Sequence, residues 1–193
     1  MSITIERKTK ETDIRLTLEE ESSPDPVISI ETPLPFFNHM LNSLLFHGGF
    51  PVGLEATGDV EVDPHHLVED TGLVLGDALY ELQERKGSVA RFGHAVVPMD
   101  DALAEVTVDA CRRSYLVYQV RFPQAYAGSF DLSLAREFFQ AVVSRGRLNL
   151  HMEARYGENG HHMVEALFKA TGRALKAAFA PRDGGVASTK GSL

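Results

Sequence analysis

The sequence contains two copies of a motif in which a pair of adjacent histidines precedes a glutamate by four and three residues. The residues are His65, His66 and Glu69 in the first copy and His161, His162 and Glu165 in the second. On an α-helix the glutamate can share a face with either histidine, whereas adjacent histidines point about 100° apart. Imidazole and carboxylate groups without thiolate suit Mn²⁺, Fe²⁺ or Zn²⁺. The motif therefore predicts a metal centre in which neighbouring histidines serve two ions, or in which one histidine binds metal and the other has a different role.

The two motifs lie in a longer internal repeat. They are 161 − 65 = 96 residues apart, and seven of the fifteen positions from 65 to 79 are identical to their partners in 161–175. An offset of about half the chain indicates duplication of one supersecondary unit rather than an array of short repeats. One such motif at a helix start is more often a surface feature than a ligand set, but its presence in both copies favours metal binding.

Apolar spacing predicts the elements that position the motifs. Two sets of apolar residues recur with helical spacing, namely Phe37, Leu41, Leu44 and Leu45, and Val68, Leu75, Leu79 and Leu82. Apolar residues alternate as in a strand at Ile14, Leu16 and Leu18 and in residues 103–108 and 115–120. Each half is predicted to contain strands, a helix (36–47 and 132–145), a strand or hairpin (50–62 and 147–156) and a second helix that begins at its motif. The expected fold class is α+β, a duplicated unit with helices on one face of a mostly antiparallel sheet, with half-repeats at residues 1–87 and 88–193.

Composition and charge exclude several classes of protein. The 193 residues include 19 Lys+Arg and 27 Asp+Glu, and the formal net charge of −8 argues against a strongly basic nucleic-acid binder. The single cysteine, Cys111, cannot form an intramolecular disulfide, which is typical of a reducing compartment. The first eight residues lack the apolar run of a signal peptide, and the uncharged segment 32–54 contains too many Pro, Gly, Asn and His residues for a membrane span. We therefore expect a cytoplasmic protein that binds neither nucleic acid nor membrane.

Several longer segments resemble one enzyme family. They are FNHML at residues 37–41, HHLVEDTG at 65–72, RFGHA at 91–95, PMD at 98–100, EFF at 137–139, HHMVEALFKA at 161–170 and STKG at 188–191. In this order, over essentially the whole chain, they resemble the imidazoleglycerol-phosphate dehydratases of histidine biosynthesis. The resemblance implies a duplicated ribosomal protein S5 domain 2-like fold with two mostly antiparallel four-stranded sheets, each with helices on one face. It also implies a homo-oligomer of 24 subunits in which the active sites are shared between subunits.

The resemblance assigns site residues along the whole chain. It implies two Mn²⁺ ions per active site, held by His39, His65, His66, Glu69, His151, His161, His162 and Glu165. The implied catalytic residues are Glu11, His39, Glu69 and Glu165. The implied substrate contacts are Glu11, Arg91, Arg113, Lys169, Ser188, Thr189 and Lys190. Without the resemblance, His39 and His151 would be interpreted as hydrogen-bonded histidines of their own elements, and Glu11 as a solvated charge.

The implied reaction removes water from D-erythro-imidazoleglycerol phosphate, a small phosphorylated imidazole, and yields imidazole-acetol phosphate. The proton to be lost lies on a carbon with no carbonyl group beside it, so it is poorly acidic. The resemblance implies a metal-stabilised imidazolate that expels the neighbouring hydroxyl through a diazafulvene-like intermediate. Glu11 is the implied acid/base group, and the cationic side chains would hold the phosphate.

The chain departs from the family pattern beside some of the implied ligands. The departures are Asn38, Asn42, Pro64, Leu67 and the segment 111–114. None of them removes an implied ligand. They leave open how His39 and His65 are oriented and whether Arg112 competes with Arg113 for the phosphate.

Two alternative functions are also consistent with the motifs. A dinuclear metal hydrolase acting on a small phosphorylated metabolite would use the same histidines and carboxylates, but it would release inorganic phosphate or an amine. A non-catalytic module would contact RNA or join subunits through closed metal sites. The acidic net charge argues against RNA.

Overall fold

The computed structural model describes residues 1–183, which form two α+β halves. The first half contains β1 (Ser2–Lys8), β2 (Thr12–Glu19), β3 (Ile28–Glu31), α1 (Pro35–Gly48), β4 (Val52–Gly58) and α2 (His65–Lys86). The second half contains β5 (Phe92–Met99), β6 (Ala102–Asp109), β7 (Tyr115–Gln119), β8 (Tyr126–Ala127), β9 (Phe130–Asp131), α3 (Leu134–Gly146), β10 (Asn149–Tyr156) and α4 (Gly160–Ala178). The helices predicted at 36–47 and 132–145 are confirmed as α1 and α3, and α2 and α4 begin at the two motifs.

Both halves build the same four-stranded sheet. The strand order is β1-β2-β4-β3 in the first sheet and β5-β6-β10-β7 in the second, and β8 and β9 form a separate hairpin. In each sheet two of the three strand pairs are antiparallel, and the third pair, β3 with β4 or β7 with β10, is parallel. The predicted α+β class with two mostly antiparallel four-stranded sheets is therefore confirmed.

The predicted apolar stripes form the core. Ile14, Leu16 and Leu18 are buried because alternate residues of β2 face the helices. The apolar residues predicted to mark the helices are buried as well, namely Phe37, Leu41, Leu44 and Leu45 on α1 and Val68, Leu75, Leu79 and Leu82 on α2. The segment at 50–62, predicted as a strand or hairpin, forms the single strand β4 and a following turn.

The helices of the two halves pack across the repeat. α2 packs against α3, and α4 packs against α1. A Cβ atom on Gly172 would lie 2.1 Å from the carbonyl oxygen of Leu44, and a Cβ atom on Gly76, at the equivalent position of α2, would lie 2.7 Å from that of Val142. Glycine is required because only a residue without a Cβ lets the two backbones approach so closely. Each motif helix therefore lies on the first helix of the other half, which makes the core continuous.

Two expectations concern the chain as a whole. The division into half-repeats 1–87 and 88–193 stays a prediction, and the shared strand order is what a duplication would produce. No helix within residues 1–183 combines the length and the apolar character that a membrane crossing requires.

Candidate metal centre

A buried glutamate on α4 lies at the centre of the second motif. The Oε2 atom of Glu165 lies 3.2 Å from His39 Nε2 and 3.1 Å from His161 Nε2. One ligand atom from each of these three residues lies within 4.8 Å of the other two. Only 6% of the Glu165 side chain is exposed, whereas both histidines are partly open to solvent. The packing of α1 on α4 therefore brings two nitrogen atoms and one oxygen atom together as a candidate metal site.

A lysine one turn further along α4 balances the charge of this glutamate. Lys169 Nζ lies 2.8 Å from Glu165 Oε1 and donates a hydrogen bond to Met99 Sδ at 3.3 Å. Burial of Glu165 opposes ionisation, but the Lys169 ammonium and the His39 ring outweigh it and lower the pKa of the carboxyl below its ordinary value. The glutamate is therefore held as the carboxylate that a divalent cation requires. Lys169, a predicted substrate contact, lies directly beside the candidate ligands.

The first motif is more open than the second. His65 Nε2 and Glu69 Oε2 are 3.7 Å apart, and 48% of the Glu69 side chain is exposed. Within residues 1–183, the group around Glu165 is the only one in which three His, Cys, Asp or Glu residues bring ligand atoms so close together. Within this described part of one chain, the first motif therefore supplies an incomplete set of ligands for the ion that the resemblance implies.

Equivalent side chains start the two motif helices. Asp63 Oδ1 accepts a hydrogen bond from the backbone N–H of His65 at 2.8 Å, and Asn159 Oδ1 accepts one from the backbone N–H of His161 at 2.9 Å. These contacts satisfy N–H groups that lack partners at the start of a helix. Their spacing, 159 − 63 = 96 residues, is that of the motifs. Each histidine pair is therefore held in the first turn, one turn before its glutamate.

The second histidine of each motif contacts an aspartate. His162 Nδ1 lies 2.5 Å from Asp101 Oδ1, and His66 Nδ1 lies 3.3 Å from both carboxylate oxygens of Asp59. These hydrogen bonds raise the pKa of each imidazole, and the contact with His162 lowers the pKa of Asp101. Neither aspartate is apparent from the motif spacing, because each belongs to a loop outside the motif helices.

Glu11 lies beside the first motif, in the turn between β1 and β2. Its Oε2 atom is 3.7 Å from His66 Nδ1, and its side chain is more than half exposed. The hydroxyl of Thr9 accepts hydrogen bonds from the backbone N–H groups of Glu11 and Thr12, which shape the turn. The structure thus brings the predicted acid/base residue next to a predicted metal ligand and leaves its carboxylate accessible.

His151 lies apart from both motifs in the described chain. Its neighbours on β10, Leu150 and Met152, are buried, so His151 faces the outer side of the second sheet. There it lines a cavity of about 250 Å³ together with Glu105 and Glu153. The chain does not bring this predicted ligand to either motif.

Helix register indicates that Glu137 is the repeat partner of His39. The glycine crossings align Val142 of α3 with Leu44 of α1, an offset of 142 − 44 = 98 residues. The same offset places Glu137 where His39 lies, since 39 + 98 = 137. A comparison of residue identities misses this position because one repeat has a glutamate and the other a histidine. Counting helical positions from the glycines finds it; in the described chain the Glu137 carboxylate pairs with Arg136 at 3.2 Å and forms no compact ligand group with the first motif.

The two predicted phosphate-binding arginines lie at the far end of the second sheet. The Arg91 guanidinium donates to both carboxylate oxygens of Asp109, at 2.7 and 3.1 Å, and the carbonyl of the exposed Arg113 accepts a hydrogen bond from Asn149 at the same end. β6 begins at Ala102, near the second motif, and ends at Asp109. These 109 − 102 = 7 residue steps of about 3.3 Å separate the two ends by about 23 Å. One chain therefore does not bring its arginines and its second motif to the same small substrate.

The remaining predicted positions either make contacts within the fold or lie outside the part of the chain that the structure describes. Ser188, Thr189 and Lys190 lie outside residues 1–183. Asn38 exchanges hydrogen bonds with Thr32, at 2.6 and 3.1 Å, and so ties the start of α1 to the preceding segment. Arg112 forms an ion pair with Glu84 at 2.5 Å. Arg112 is therefore engaged in an ion pair within the fold, and the role of Arg113 toward the phosphate stays a prediction.

The fold and the site together define a duplicated α+β protein with a candidate His/Glu metal centre between its halves. The family model for imidazoleglycerol-phosphate dehydratase matches residues 32–175. The chain therefore belongs to the imidazoleglycerol-phosphate dehydratase family, whose members are hydro-lyases.

Individual members of this family match the chain over nearly their whole length. The imidazoleglycerol-phosphate dehydratase of Geobacter metallireducens is 50% identical over 192 residues, which cover 98% of this chain and 97% of the relative. That of Anaeromyxobacter dehalogenans is 46% identical over 191 residues, covering 98% and 90%. The crystal structure of the Staphylococcus aureus enzyme has a TM-score of 0.85 and 37% identity, covering 94% of this chain and all of the other. A structure of the Pyrococcus furiosus protein in complex with a ligand has a TM-score of 0.84 and 36% identity, covering 98% and 100%.

Proposed function

We propose that this chain dehydrates D-erythro-imidazoleglycerol phosphate to imidazole-acetol phosphate in a reaction that depends on divalent metal ions. The observation that carries this proposal is the cluster of His39, His161 and Glu165 in a member of a dehydratase family. Two imidazole nitrogens and an ionised carboxylate oxygen, without sulfur, are compatible with Mn²⁺, as they are with Fe²⁺ and Zn²⁺. The donor set therefore fits the metal that the family resemblance implies.

The proposed centre uses both motifs and two Mn²⁺ ions per active site. His39, His161 and Glu165 would hold one ion, and His65 and Glu69 would contribute to the other. His66 and His162 would add ligands through the ring nitrogen that faces away from their aspartates. When bound, the ions supply Lewis acidity toward the substrate imidazole and a template for its orientation.

The protein's own groups move the protons and hold the substrate. Glu11 would accept the proton from the second carbon of the side chain, one bond further from the imidazole, because its carboxylate is accessible and adjoins His66. The hydroxyl on the carbon next to the imidazole leaves as water once it has received a proton, and the resulting enol becomes the ketone on the second carbon. Lys169 lies beside the ligands and would contact the substrate through its ammonium group.

We propose further that each active site takes residues from more than one copy of the chain. Arg91 and Arg113 are separated from the second motif by the length of β6. The first motif also lacks a complete ligand set within residues 1–183. A neighbouring subunit can supply both missing parts, in keeping with the cytoplasmic 24-subunit assembly that the resemblance implies.

Metal removal tests the proposed reaction. The purified protein, stripped with a chelator, is expected to lose dehydration of imidazoleglycerol phosphate and to regain it when Mn²⁺ is added. The measurement is formation of the ketone product, with inorganic phosphate followed in the same samples. Phosphate release without ketone would contradict the dehydratase and indicate the hydrolase instead. Full activity in the stripped protein, with metal analysis confirming removal, would contradict the metal requirement.

Co-expression tests the shared site. The Arg113→Ala and Glu165→Gln variants, carrying different affinity tags and co-purified as mixed oligomers, are expected to recover up to about a quarter of the wild-type rate at low substrate. The reason is that, when the two residues of a site come from different copies, about one site in four contains both native residues. If both residues of a site came from one chain, every site would contain a defect and the rate would not recover.

A further inference from the structure

We propose that Asp101 and Asp59 are positioning residues, which hold the second histidine of each motif by Nδ1 so that Nε2 is available to a metal ion. This inference rests on the proposed metal-dependent function and adds two residues to it. Neither residue belongs to a motif, and neither touches the cluster around Glu165. Both act through a histidine.

Asp101 is anchored on both sides of its carboxylate. Its Oδ1 atom lies 2.5 Å from His162 Nδ1, while Oδ2 accepts hydrogen bonds from the backbone N–H groups of Glu158 at 2.5 Å and Asn159 at 2.9 Å. Because those two N–H groups belong to the segment that leads into α4, the aspartate fixes the ring relative to the helix start. The other ring nitrogen, Nε2, is left facing Asp100, whose Oδ2 atom lies 3.5 Å away.

Asp59 makes the corresponding contact in the first half. Both of its carboxylate oxygens lie 3.3 Å from His66 Nδ1. Its backbone N–H donates to the carbonyl of Glu11 at 3.1 Å, and its own carbonyl accepts from the N–H of Val62 at 2.8 Å. The aspartate is thus tied to the turn that carries the proposed acid/base residue. It contacts His66 through Nδ1 and leaves Nε2 uncontacted by Asp59.

The two aspartates come from loops that do not correspond in the repeat. Asp59 follows β4, whereas Asp101 lies in the turn between β5 and β6. The first-half equivalent of the β5–β6 turn is the β1–β2 turn, which contains Glu11. Inheritance of one loop through the duplication therefore does not explain the shared contact. The feature common to both halves is a carboxylate at Nδ1 of the second histidine.

The chemistry of imidazole explains what this contact achieves. A neutral ring has one N–H group and one lone pair, and only the nitrogen with the lone pair can bind a metal. A carboxylate acceptor at Nδ1 places the proton there and the lone pair on Nε2, and it also fixes the ring orientation. Loss of such a partner typically weakens metal binding by about 10- to 100-fold.

The test is a Mn²⁺ titration of the metal-free assembled protein, with free Mn²⁺ followed by electron paramagnetic resonance. Asp101→Asn and Asp59→Asn are each expected to weaken the Mn²⁺ affinity of one of the two proposed ion sites by about 10- to 100-fold. The matched control is Asp77→Asn, which removes an ion pair with Arg145 on the surface and should leave Mn²⁺ affinity unchanged. Thermal unfolding is measured for all three metal-free variants. Unchanged affinity in Asp101→Asn, with His162→Gln weakened, would overturn the positioning role.

A double-mutant cycle separates this role from a general effect on folding and from failure of the metal proposal. In the His162→Gln background, adding Asp101→Asn is expected to have no further effect on Mn²⁺ affinity, because the ring that the aspartate positions is gone. A further loss as large as in the native background would show that Asp101 acts elsewhere and overturn the inference. Unchanged affinity in His162→Gln alone would remove His162 from the metal site, which is a failure of the proposed function itself.

Discussion

The Glu165→Gln variant is expected to lose most of its bound Mn²⁺, and its kcat/KM is expected to fall more than about 100-fold. Loss of a residue that only orients a metal ligand already lowers metal affinity or activity by about 10- to 100-fold, and loss of a ligand should cost more. The carboxylate lies within 3.2 Å of both histidines of the cluster and supplies its only negative charge. A glutamine has nearly the same shape but no charge for a divalent cation. Metal analysis of the purified variant and steady-state kinetics measure the two effects.

The control for Glu165→Gln must account for Lys169, which loses its carboxylate partner in this variant. Thermal unfolding of the metal-free proteins separates a loss of stability from a loss of metal. Glu81→Gln is the matched control, because Glu81 forms an exposed ion pair on α2 and its loss should change neither metal content nor rate. Normal metal content in a slow Glu165→Gln enzyme would contradict ligation by Glu165 and leave it a role in the chemistry alone.

The Glu11→Gln variant is expected to lose about 10²- to 10⁴-fold in kcat, the usual contribution of a positioned acid or base. Its Mn²⁺ content is expected to stay close to normal, since Glu11 Oε2 lies 3.7 Å from His66 and outside the compact cluster around Glu165. Glutamine cannot accept the proton from the substrate carbon. Single-turnover kinetics with the metal-loaded variant measure the chemical step directly.

Asp13→Asn is the matched control for Glu11→Gln, because Asp13 lies on the same hairpin and its carboxylate pairs with Lys8 in solvent. This variant should retain the wild-type rate. A Glu11→Gln enzyme that keeps both its metal and most of its kcat would remove Glu11 from the proton transfer. A parallel loss of metal and rate would instead make Glu11 a ligand or a support for His66.

Local patterns in the sequence were sufficient to predict much of the fold. The apolar residues of α1 and α2 recur with helical spacing, and those of β2 alternate, because burial on one face imposes the period of the element. The repeat of 96 residues indicated that two equivalent halves exist, and the two sheets of the structure have the same strand order. A motif of five residues also ensured that each glutamate lies one turn from its histidines.

Contacts between distant segments could not be predicted in the same way. His39 and Glu165 are 126 positions apart (165 − 39 = 126), and they meet only because α4 packs on α1 where Gly172 allows a close approach. The role of His151 as a ligand stays a prediction, and strand alternation places it on the outer face of its sheet. Its position relative to the motifs depends on which face of β10 covers the core.

The sequence by itself determined the motifs, the duplication, the elements and the family resemblance, since these depend on spacings along the chain. Only the tertiary structure decided which repeat forms a compact cluster, which aspartates contact the second histidines and how far the arginines lie from the candidate metal ligands. The physical reason is that helix packing and strand length set distances between residues that no local period relates. For the same reason, Glu137 becomes visible as the partner of His39 only when positions are counted from the helix crossing.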